Sequence, residues 1–282
     1  MFFTTLFLGL WNNALWADGG VMRPSASENI HDKAQEFTEP SGLVLAADRE
    51  TRYAVSDNVN AIFTLDGQGK VLSRLDLDVT AEDLEAIAIA PNGRVLVLKE
   101  GLGEILEIDP ESGTQVSRVK LDKIPGYEDI ARYLARTPEN NGFEGMAVHP
   151  VSGAVFILNE AQPRLLLEIS PDFSAIPRAW LLGADIGFVS PEADDEDLDV
   201  SGLTIDPRTG HFLIVSDTGK SLFELDLETF EVQRFTLARS ADDDTKALRN
   251  AEGIALDAQA GRLFILTDDG KSSRFMTYEF ER

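Results

Sequence analysis

Five segments of the chain open with related words, and this internal repetition constrains the fold more than any other feature. They read EPSGLVLAAD from Glu39, DLEAIAIAP from Asp83, GFEGMAVHP from Gly142, DVSGLTIDP from Asp199 and NAEGIALDA from Asn250. Each continues with a turn, a second apolar run and a third run. Four of the five repeats add a fourth run, whereas the fifth lacks one.

The runs within each repeat have the chemistry of β-strands. They are short, rich in Val, Ile, Leu and Phe, and separated by Gly, Asn, Asp and Pro. Four short strands that recur about every 40 to 60 residues are typical of propeller blades. We therefore predict an all-β fold, a β-propeller with five four-stranded blades. A six-bladed propeller is the alternative, and it would need a blade hidden in one of the long insertions.

The incomplete fifth repeat predicts that a strand from the N-terminal side closes the last blade, and residues 34–38 are the expected source. Three longer connections join one blade to the next. Residues 122–139 contain YEDIARYLART, which predicts a short helix, residues 183–197 form an acidic loop, and SADDDTKALRN precedes the last repeat. Because all three follow a blade's last strand, we expect them on one face of the disc.

The N-terminus carries a short apolar segment, from Phe2 to Trp11. Its length is too small to span a bilayer and suits the apolar region of a signal peptide. We predict a signal peptide over residues 1–17, a polar linker over 18–32 and one propeller domain over 33–282. Export to the periplasm or out of the cell would follow, with no membrane span left after cleavage.

Composition excludes several classes of function. The net charge is −24, which opposes binding to nucleic acid phosphates. The chain has no cysteine, so disulfides and thiolate metal sites are excluded. We interpret the three scattered histidines, His31, His149 and His211, as structural. We expect a monomer.

One polar position starts the innermost strand of every repeat. It is occupied by Ser41, Glu85, Glu144, Ser201 and Glu252, which we call the first ring. A small residue follows each of them: Gly42, Ala86, Gly145, Gly202 and Gly253. Glycine or alanine is expected where backbones approach closely near the axis of a propeller.

An acidic position ends the second strand of every repeat. It is occupied by Asp57, Glu100, Glu160, Asp217 and Asp268, which we call the second ring. The second strand runs antiparallel to the first, so its end lies beside the start of the first. We therefore expect both rings on one face. Two residues before the first ring, Glu39, Asp83, Asp199 and Asn250 add further oxygens, whereas Gly142 does not.

Many carboxylates at one opening would repel one another and raise one another's pKa values, and a bound cation would relieve that cost. Ligands that are all oxygens favour a hard ion, and calcium tolerates a wide, flexible site. The predicted calcium ligands are Glu85, Glu144, Glu252, Asp57, Glu100, Glu160, Asp217, Asp268 and Asp199. In the alternative interpretation these side chains only cap strand ends and turns, or Lys99 neutralises part of the ring.

The repeated words resemble the SdiA-regulated (YjiK-like) family of bacterial β-propellers. The resemblance rests on Ser41-Gly42-Leu43, Asp83-Leu84-Glu85, Gly142-Phe143-Glu144-Gly145, Val200-Ser201-Gly202 and Ala251-Glu252-Gly253, over roughly residues 38 to 281. Ala86 departs from the glycine expected in the second word. The resemblance implies an exported, calcium-associated propeller, distantly similar to phytase and lactonase propellers.

Three functions are compatible with this pattern. The first is a calcium-binding module of the cell envelope that binds an unidentified small molecule or envelope component. The second is a calcium-dependent hydrolase of an ester, lactone or phosphoester, with Glu144 or Glu252 as general base. A phosphate substrate would need basic groups such as Lys99, Arg164, Lys220 and Lys271. The third is a peptide-binding scaffold that uses Phe143, Tyr127 and Phe188.

Overall fold

The computed structural model describes residues 16–79, 83–100, 103–134 and 142–280. These residues form five β-sheets, and the prediction of a five-bladed all-β propeller is confirmed. The strands are β1 (Trp16–Met22), β2 (Pro24–Asn29), β3 (Pro40–Leu45), β4 (Arg52–Ser56), β5 (Val59–Leu65), β6 (Val71–Asp76), β7 (Leu84–Ile89), β8 (Val95–Lys99), β9 (Glu104–Ile108), β10 (Gln115–Lys120), β11 (Phe143–Val148), β12 (Val155–Asn159), β13 (Leu165–Ile169), β14 (Arg178–Leu181), β15 (Gly202–Ile205), β16 (Phe212–Ser216), β17 (Ser221–Leu225), β18 (Val232–Leu237), β19 (Ala251–Asp257), β20 (Arg262–Thr267) and β21 (Arg274–Glu279).

Helical structure is confined to the connections. The predicted helix in the first long insertion is present as α1 (Tyr127–Leu134), and short 3-10 helices span Leu121–Lys123, Ala184–Ile186 and Gly270–Ser272. Within the described ranges, none of these segments has the length and apolar character that crossing a membrane requires.

Each repeat folds into one antiparallel blade whose strands follow one another from the axis outward. Blade A contains β3–β6, blade B β7–β10, blade C β11–β14, blade D β15–β18 and blade E β19–β21. The innermost strands contact one another in the order β3, β7, β11, β15 and β19, and β19 contacts β3 again. The ring is therefore closed, with the starts of all five innermost strands around one axis.

A strand from the N-terminal side completes blade E, as predicted, but it is not the expected one. The outer strand is β2, which pairs antiparallel with β21. Residues 34–38 instead lie in a tight turn that is closed by the Asp32–Phe37 bridge. All of β2 except Pro24 is exposed. A polar edge strand has no apolar alternation, so the sequence pattern did not reveal it.

The predicted linker over residues 18–32 is wrong, because most of these residues belong to sheets. β1 pairs in parallel with β18 and adds a fifth strand to the outside of blade D. Only Arg23 separates β1 from β2, so the chain crosses directly from blade D to blade E. The predicted cleavage position after Ala17 falls within β1. Residues 1–15 of the predicted signal peptide lie outside the described residues.

The core lies between neighbouring blades and not along the axis. Between blades C and D, the rings of Phe156 and Phe212 meet at 4.7 Å, and Phe188 packs against Phe223 at 4.8 Å. Each fully buried side chain of this kind contributes about 1.5–3 kcal/mol. Phe143 is also buried, in the cluster between blades B and C. Two of the three aromatic residues considered for peptide binding are therefore inside the protein.

Deletion of residues 1–31 removes β1 and β2, and we expect the free energy of unfolding to fall by several kcal/mol. The edge of β21 would lose its paired hydrogen bonds, each of which contributes about 1 kcal/mol. Deletion of residues 1–22 removes only the fifth strand of blade D and should cost clearly less. Urea unfolding of both variants measures the difference, and equal losses would contradict a closing role for β2.

Candidate functional site

The first ring surrounds a narrow opening because neighbouring backbones touch there. A Cβ atom on Gly202 would lie 2.0 Å from the carbonyl oxygen of Glu252, and one on Gly253 would lie 2.6 Å from that of Ser41. Ser201 Oγ donates a hydrogen bond to the carbonyl of Ala251 at 2.5 Å. The prediction that small residues permit close approach near the axis is confirmed.

A small cavity lies at this ring. Its walls include Glu85, Glu144, Ser201 and Glu252, and its volume is about 10 Å³. That is close to the space that one water molecule needs. The three glutamates are each half-buried, which fits side chains that are enclosed by protein and touched by water in the channel.

The second ring lies directly beside the chain that leads into the first ring. In four of the five blades the backbone N–H of the second-ring residue donates to the carbonyl of the residue two positions before the first ring. The bonds are Asp57 to Glu39 at 3.0 Å, Glu100 to Asp83 at 3.0 Å, Glu160 to Gly142 at 2.9 Å and Asp268 to Asn250 at 2.8 Å. The two rings therefore share one face, as the antiparallel pairing predicted.

The three glutamates of the first ring carry strongly raised pKa values. Burial is the largest cause for Glu85, and the charges of Asp57 and Glu100 add to it, which raises its pKa to about 8. Burial and then the charge of Glu252 raise the pKa of Glu144 well above its usual value. Burial and then the charge of Asp217 do the same for the pKa of Glu252.

These pKa shifts have a common pattern. For Glu85, Glu144 and Glu252, every neighbouring charge with a leading effect is a carboxylate. Glu85 raises the pKa values of Glu144 and Glu252, and Glu252 raises that of Glu144. The structure therefore brings the three together electrostatically. Within the described part of the chain, none of the three forms an ion pair.

Most other predicted ligands have structural partners. Asp199 accepts hydrogen bonds from Ser216 Oγ at 2.7 Å and from the N–H of Thr218. Asp217 pairs with Lys220 Nζ at 2.7 Å. Glu100 accepts a hydrogen bond from the N–H of Gly142 at 3.0 Å, and Asp268 accepts one from the N–H of Gly270 at 3.3 Å. For these four, the interpretation as caps of strands and turns has direct support.

Asp57 differs from these capped carboxylates. It is half-buried, and its pKa is raised by burial and by the charges of Asp83 and Glu39. Together with Asp83 it lines a separate polar cavity of about 620 Å³ beside blade A. The backbone of Glu160 makes two hydrogen bonds beside the ring. Its N–H donates to the carbonyl of Gly142, and its carbonyl accepts the N–H of Val200 at 3.1 Å.

Three of the four basic residues considered for phosphate binding, Lys99, Arg164 and Lys220, already interact with other groups. Lys99 lies opposite Glu104 in the β8–β9 pair, where it acts together with Lys120 and Arg118 to lower the pKa of Glu104. Arg164 is fully buried and donates to the carbonyls of Leu182, Asp195 and Leu198. Lys271 is exposed.

Arg164 has a structural role that the sequence did not indicate. Besides its three carbonyl acceptors, its guanidinium lies 2.5 Å from the carboxylate of Asp195. These bonds fasten the acidic loop of residues 183–197 to blade C. A buried arginine with several backbone acceptors leaves no signal in a single sequence, because its partners are carbonyl groups.

Two histidines have local partners, which agrees with a structural interpretation. His211 Nδ1 lies 2.7 Å from Glu224 Oε1. His149 Nδ1 accepts the N–H groups of Val151 at 3.3 Å and Ser152 at 3.1 Å. His31 is half-buried, and its Nδ1 has no partner within the described ranges.

A calcium ion fits the donor chemistry of the ring, but its ligands are not assembled. Oxygen atoms of three unpaired glutamates are suitable donors for a hard cation. Among residues that the structure describes, however, no three carboxylate or imidazole groups converge closely enough to coordinate a metal. Binding would therefore require the glutamate side chains to adopt other rotamers.

The opposite end of the channel is apolar. A chamber of about 270 Å³ lies there, lined by residues of all five innermost strands. Leu43, Ile87, Met146 and Leu203 line both this chamber and the cavity at the first ring. The two ends of the axis thus differ in polarity. This difference in polarity is visible in the sequence, because each of the four apolar residues follows its first-ring residue by two positions.

Comparison with known proteins agrees with the fold. A family model described as SdiA-regulated matches residues 22–275. Glutaminyl cyclase of Myxococcus xanthus is 13% identical, with a TM-score of 0.60 over 96% of this chain and 100% of that one. A gluconolactonase of Xanthomonas campestris is 14% identical, with a TM-score of 0.51 over 92% of this chain and 97% of that one. At such identities the likeness concerns the fold alone.

The raised pKa values predict that stability falls with increasing pH when no divalent cation is present. The folded chain holds a proton on Glu85 up to about pH 8, whereas an ordinary glutamate loses it near 4.5. Between these values the folded state binds more protons than the unfolded state, so the free energy of unfolding should decrease as pH rises, by an amount on the order of a few kcal/mol.

Urea unfolding in chelator at pH 5, 6.5 and 8 measures this slope. The Glu85→Gln variant should have a shallower slope and greater stability at pH 8. Glu111→Gln removes an exposed carboxylate and serves as the control. Identical slopes for the wild type and Glu85→Gln would refute the account.

Proposed function

Given that this chain belongs to the SdiA-regulated family, we propose that it is an exported calcium-binding propeller whose ion site is the first ring. Glu85, Glu144 and Glu252 would hold the ion, and Asp57 and the carbonyls beside the ring are further oxygen donors. The single observation that carries the proposal is the uncompensated charge of the three glutamates.

Burying several carboxylates at one opening is costly unless a proton or a cation neutralises them. Lys220 pairs with Asp217 of the second ring, and Arg74, which lines the cavity beside Asp57, pairs with Glu36. These two cations therefore leave the three glutamates without a counter-charge. Protons would neutralise the ring at low pH, and calcium would take their place as pH rises.

Proton and ion would compete for the same oxygens, so calcium affinity should increase with pH across the range in which the glutamates lose their protons. Because the glutamate side chains must rearrange before they can coordinate calcium, we expect the site to bind calcium weakly. Calcium sites of extracellular modules have dissociation constants of about 10⁻⁴ to 10⁻³ M. Such affinity suits a protein of the periplasm or exterior, where calcium is not held at low levels.

Two features support an exported envelope module. The N-terminal apolar segment has the length of a signal peptide core. The acidic loop that Arg164 fastens to blade C adds further carboxylates to the face that carries the rings. A small molecule or envelope component with hydroxyl or carboxylate oxygens would then be recognised through the ion.

A hydrolase is the second candidate, and the pKa of Glu85 is the observation that favours it. A carboxyl group with a pKa of about 8 can donate or accept a proton near neutral pH. Calcium, when bound, would supply positive charge that polarises an ester, lactone or phosphoester oxygen. Glu144 or Glu252 would act as general base. Phosphoesters are the least favoured substrates, because Lys220 and Arg164 already have partners.

The double variant Glu144→Gln, Glu252→Gln tests the ion site. We expect its melting temperature in chelator to rise, since it lacks the repulsion between the two carboxylates, and its response to millimolar calcium to disappear. The wild type should gain several degrees when calcium is present well above its dissociation constant. Differential scanning calorimetry with and without calcium measures both effects.

The matched control is Glu111→Gln, Glu228→Gln, which removes two exposed carboxylates. It should keep the calcium response of the wild type. An unchanged calcium shift in the double variant of the ring would refute the proposed site, and loss of the shift in the control would point to nonspecific charge screening.

Turnover separates the two candidate functions. For a binding module, we expect no chelator-sensitive hydrolysis in a panel of aryl esters, lactones and phosphoesters assayed with calcium and with chelator. Hydrolysis that needs calcium and is lost in the Glu144→Gln, Glu252→Gln variant, but not in the control, would establish the hydrolase instead. The calorimetric test of calcium binding does not depend on which of the two functions the protein has.

A further inference from the structure

A cationic pocket lies at the edge of the disc, between blade D and blade E. Its volume is about 610 Å³, within the usual range for small-molecule sites. The polar and charged walls are Ser25, Ser27, Arg239, Ser240, Asp243, Lys246 and Arg274. Three cations and one carboxylate thus line this pocket, although the chain carries a net charge of −24.

The loop that supplies two of these cations, Arg239 and Lys246, is held at its base by backbone hydrogen bonds. The N–H of Arg239 donates to the carbonyl of Lys246 at 2.8 Å, and Ala238 bridges Ala247 directly below. Tyr278 Oη donates to the carbonyl of Ala238 at 2.9 Å and is buried. Arg239 and Lys246 are therefore held side by side by backbone bonds and anchored to blade E.

Arg274 reaches the same pocket from a different element. It begins β21 opposite Asn29 of β2 and is half-buried. Across the described ranges its guanidinium has no ion-pair partner. The unpaired cation thus lies on a rigid strand, beside the serines of β2.

The other two cations are only partly neutralised. Arg239 lies 3.8 Å from the carboxylate of Asp269, well beyond the 2.7–2.9 Å of a charge-assisted hydrogen bond. Lys246 lies 3.0 Å from Asp243, and its side chain is 72% exposed. The guanidinium groups of Arg239 and Arg274 therefore have N–H donors available, and the exposed Lys246 adds positive charge at the rim of the pocket.

We propose that this pocket binds a small oxyanion of the phosphate or carboxylate class. Arg239 and Arg274 supply planar, forked donors that match such groups, and Lys246 adds charge. Hydroxyl groups of Ser25, Ser27 and Ser240 supply further donors. The site is separate from the acidic ring and does not depend on calcium.

Titration with inorganic phosphate tests the proposal. Isothermal titration calorimetry of the full chain, in chelator and at constant ionic strength with chloride, should show saturable binding. Arg274→Gln and Lys246→Gln should each weaken it by about tenfold or more, which corresponds to about 1.4 kcal/mol. Lys246 is exposed, so its replacement leaves the fold intact even if Arg274→Gln does not.

The control is Lys123→Gln, which makes the same change in net charge at an exposed lysine in the connection between blades B and C. It should bind phosphate as the wild type does. Absence of saturable binding in the wild type, or equal weakening by Lys123→Gln, would overturn the proposal. Flotation with phosphatidylglycerol vesicles distinguishes the source of the anion: we expect none, and vesicle binding without a phosphate response would also overturn a small-anion site.

Discussion

The contact between neighbouring backbones at the axis is the constraint on which the rest of this structure depends. Five innermost strands form a closed ring only if their starting segments approach to within van der Waals distance. The carbonyl of Glu252 occupies the space that a side chain on Gly202 would need. Closure at this distance leaves an opening of about one water molecule. Every polar side chain that starts an innermost strand must therefore share that opening with the others.

Because of this geometry, acidic residues that are far apart in the sequence lie close together and repel one another. Carboxylates farther from the axis each have a partner that offsets their charge. Asp217 forms an ion pair with Lys220, and Asp199 accepts a hydrogen bond from Ser216. Among the residues that the structure describes, Glu85, Glu144 and Glu252 have no such cationic partner. Glu85 raises the pKa values of the other two, and Glu252 raises that of Glu144. The difference between satisfied and unsatisfied carboxylates separates structural acids from candidate functional ones more clearly than their charge alone. Natural proteins keep such unresolved groups mainly where they bind or react.

Features that repeat could be predicted from the sequence, and features that occur once could not. The five blades follow from strands with a regular period, and the two rings follow from register within that period. β2 was misplaced because an exposed edge strand needs no apolar alternation. The structural role of Arg164 was missed because its acceptors are backbone carbonyls, most of them in an irregular loop. The glutamate side chains were expected to form an assembled ion site, but their rotamers depend on packing that no sequence pattern records.

The chain leaves blade D and returns to blade E through a single residue, Arg23, and Pro24 pairs with Tyr278. The beginning and the end of the ring thus meet within one sheet. Joining the end of β21 to the start of β2 by a short peptide, and opening the chain in the connection between two other blades, would keep the four strands of every blade, although β1 would no longer pair with β18. The order in which the blades are synthesised is thus incidental to their architecture, and a circularly permuted chain should assemble the same disc.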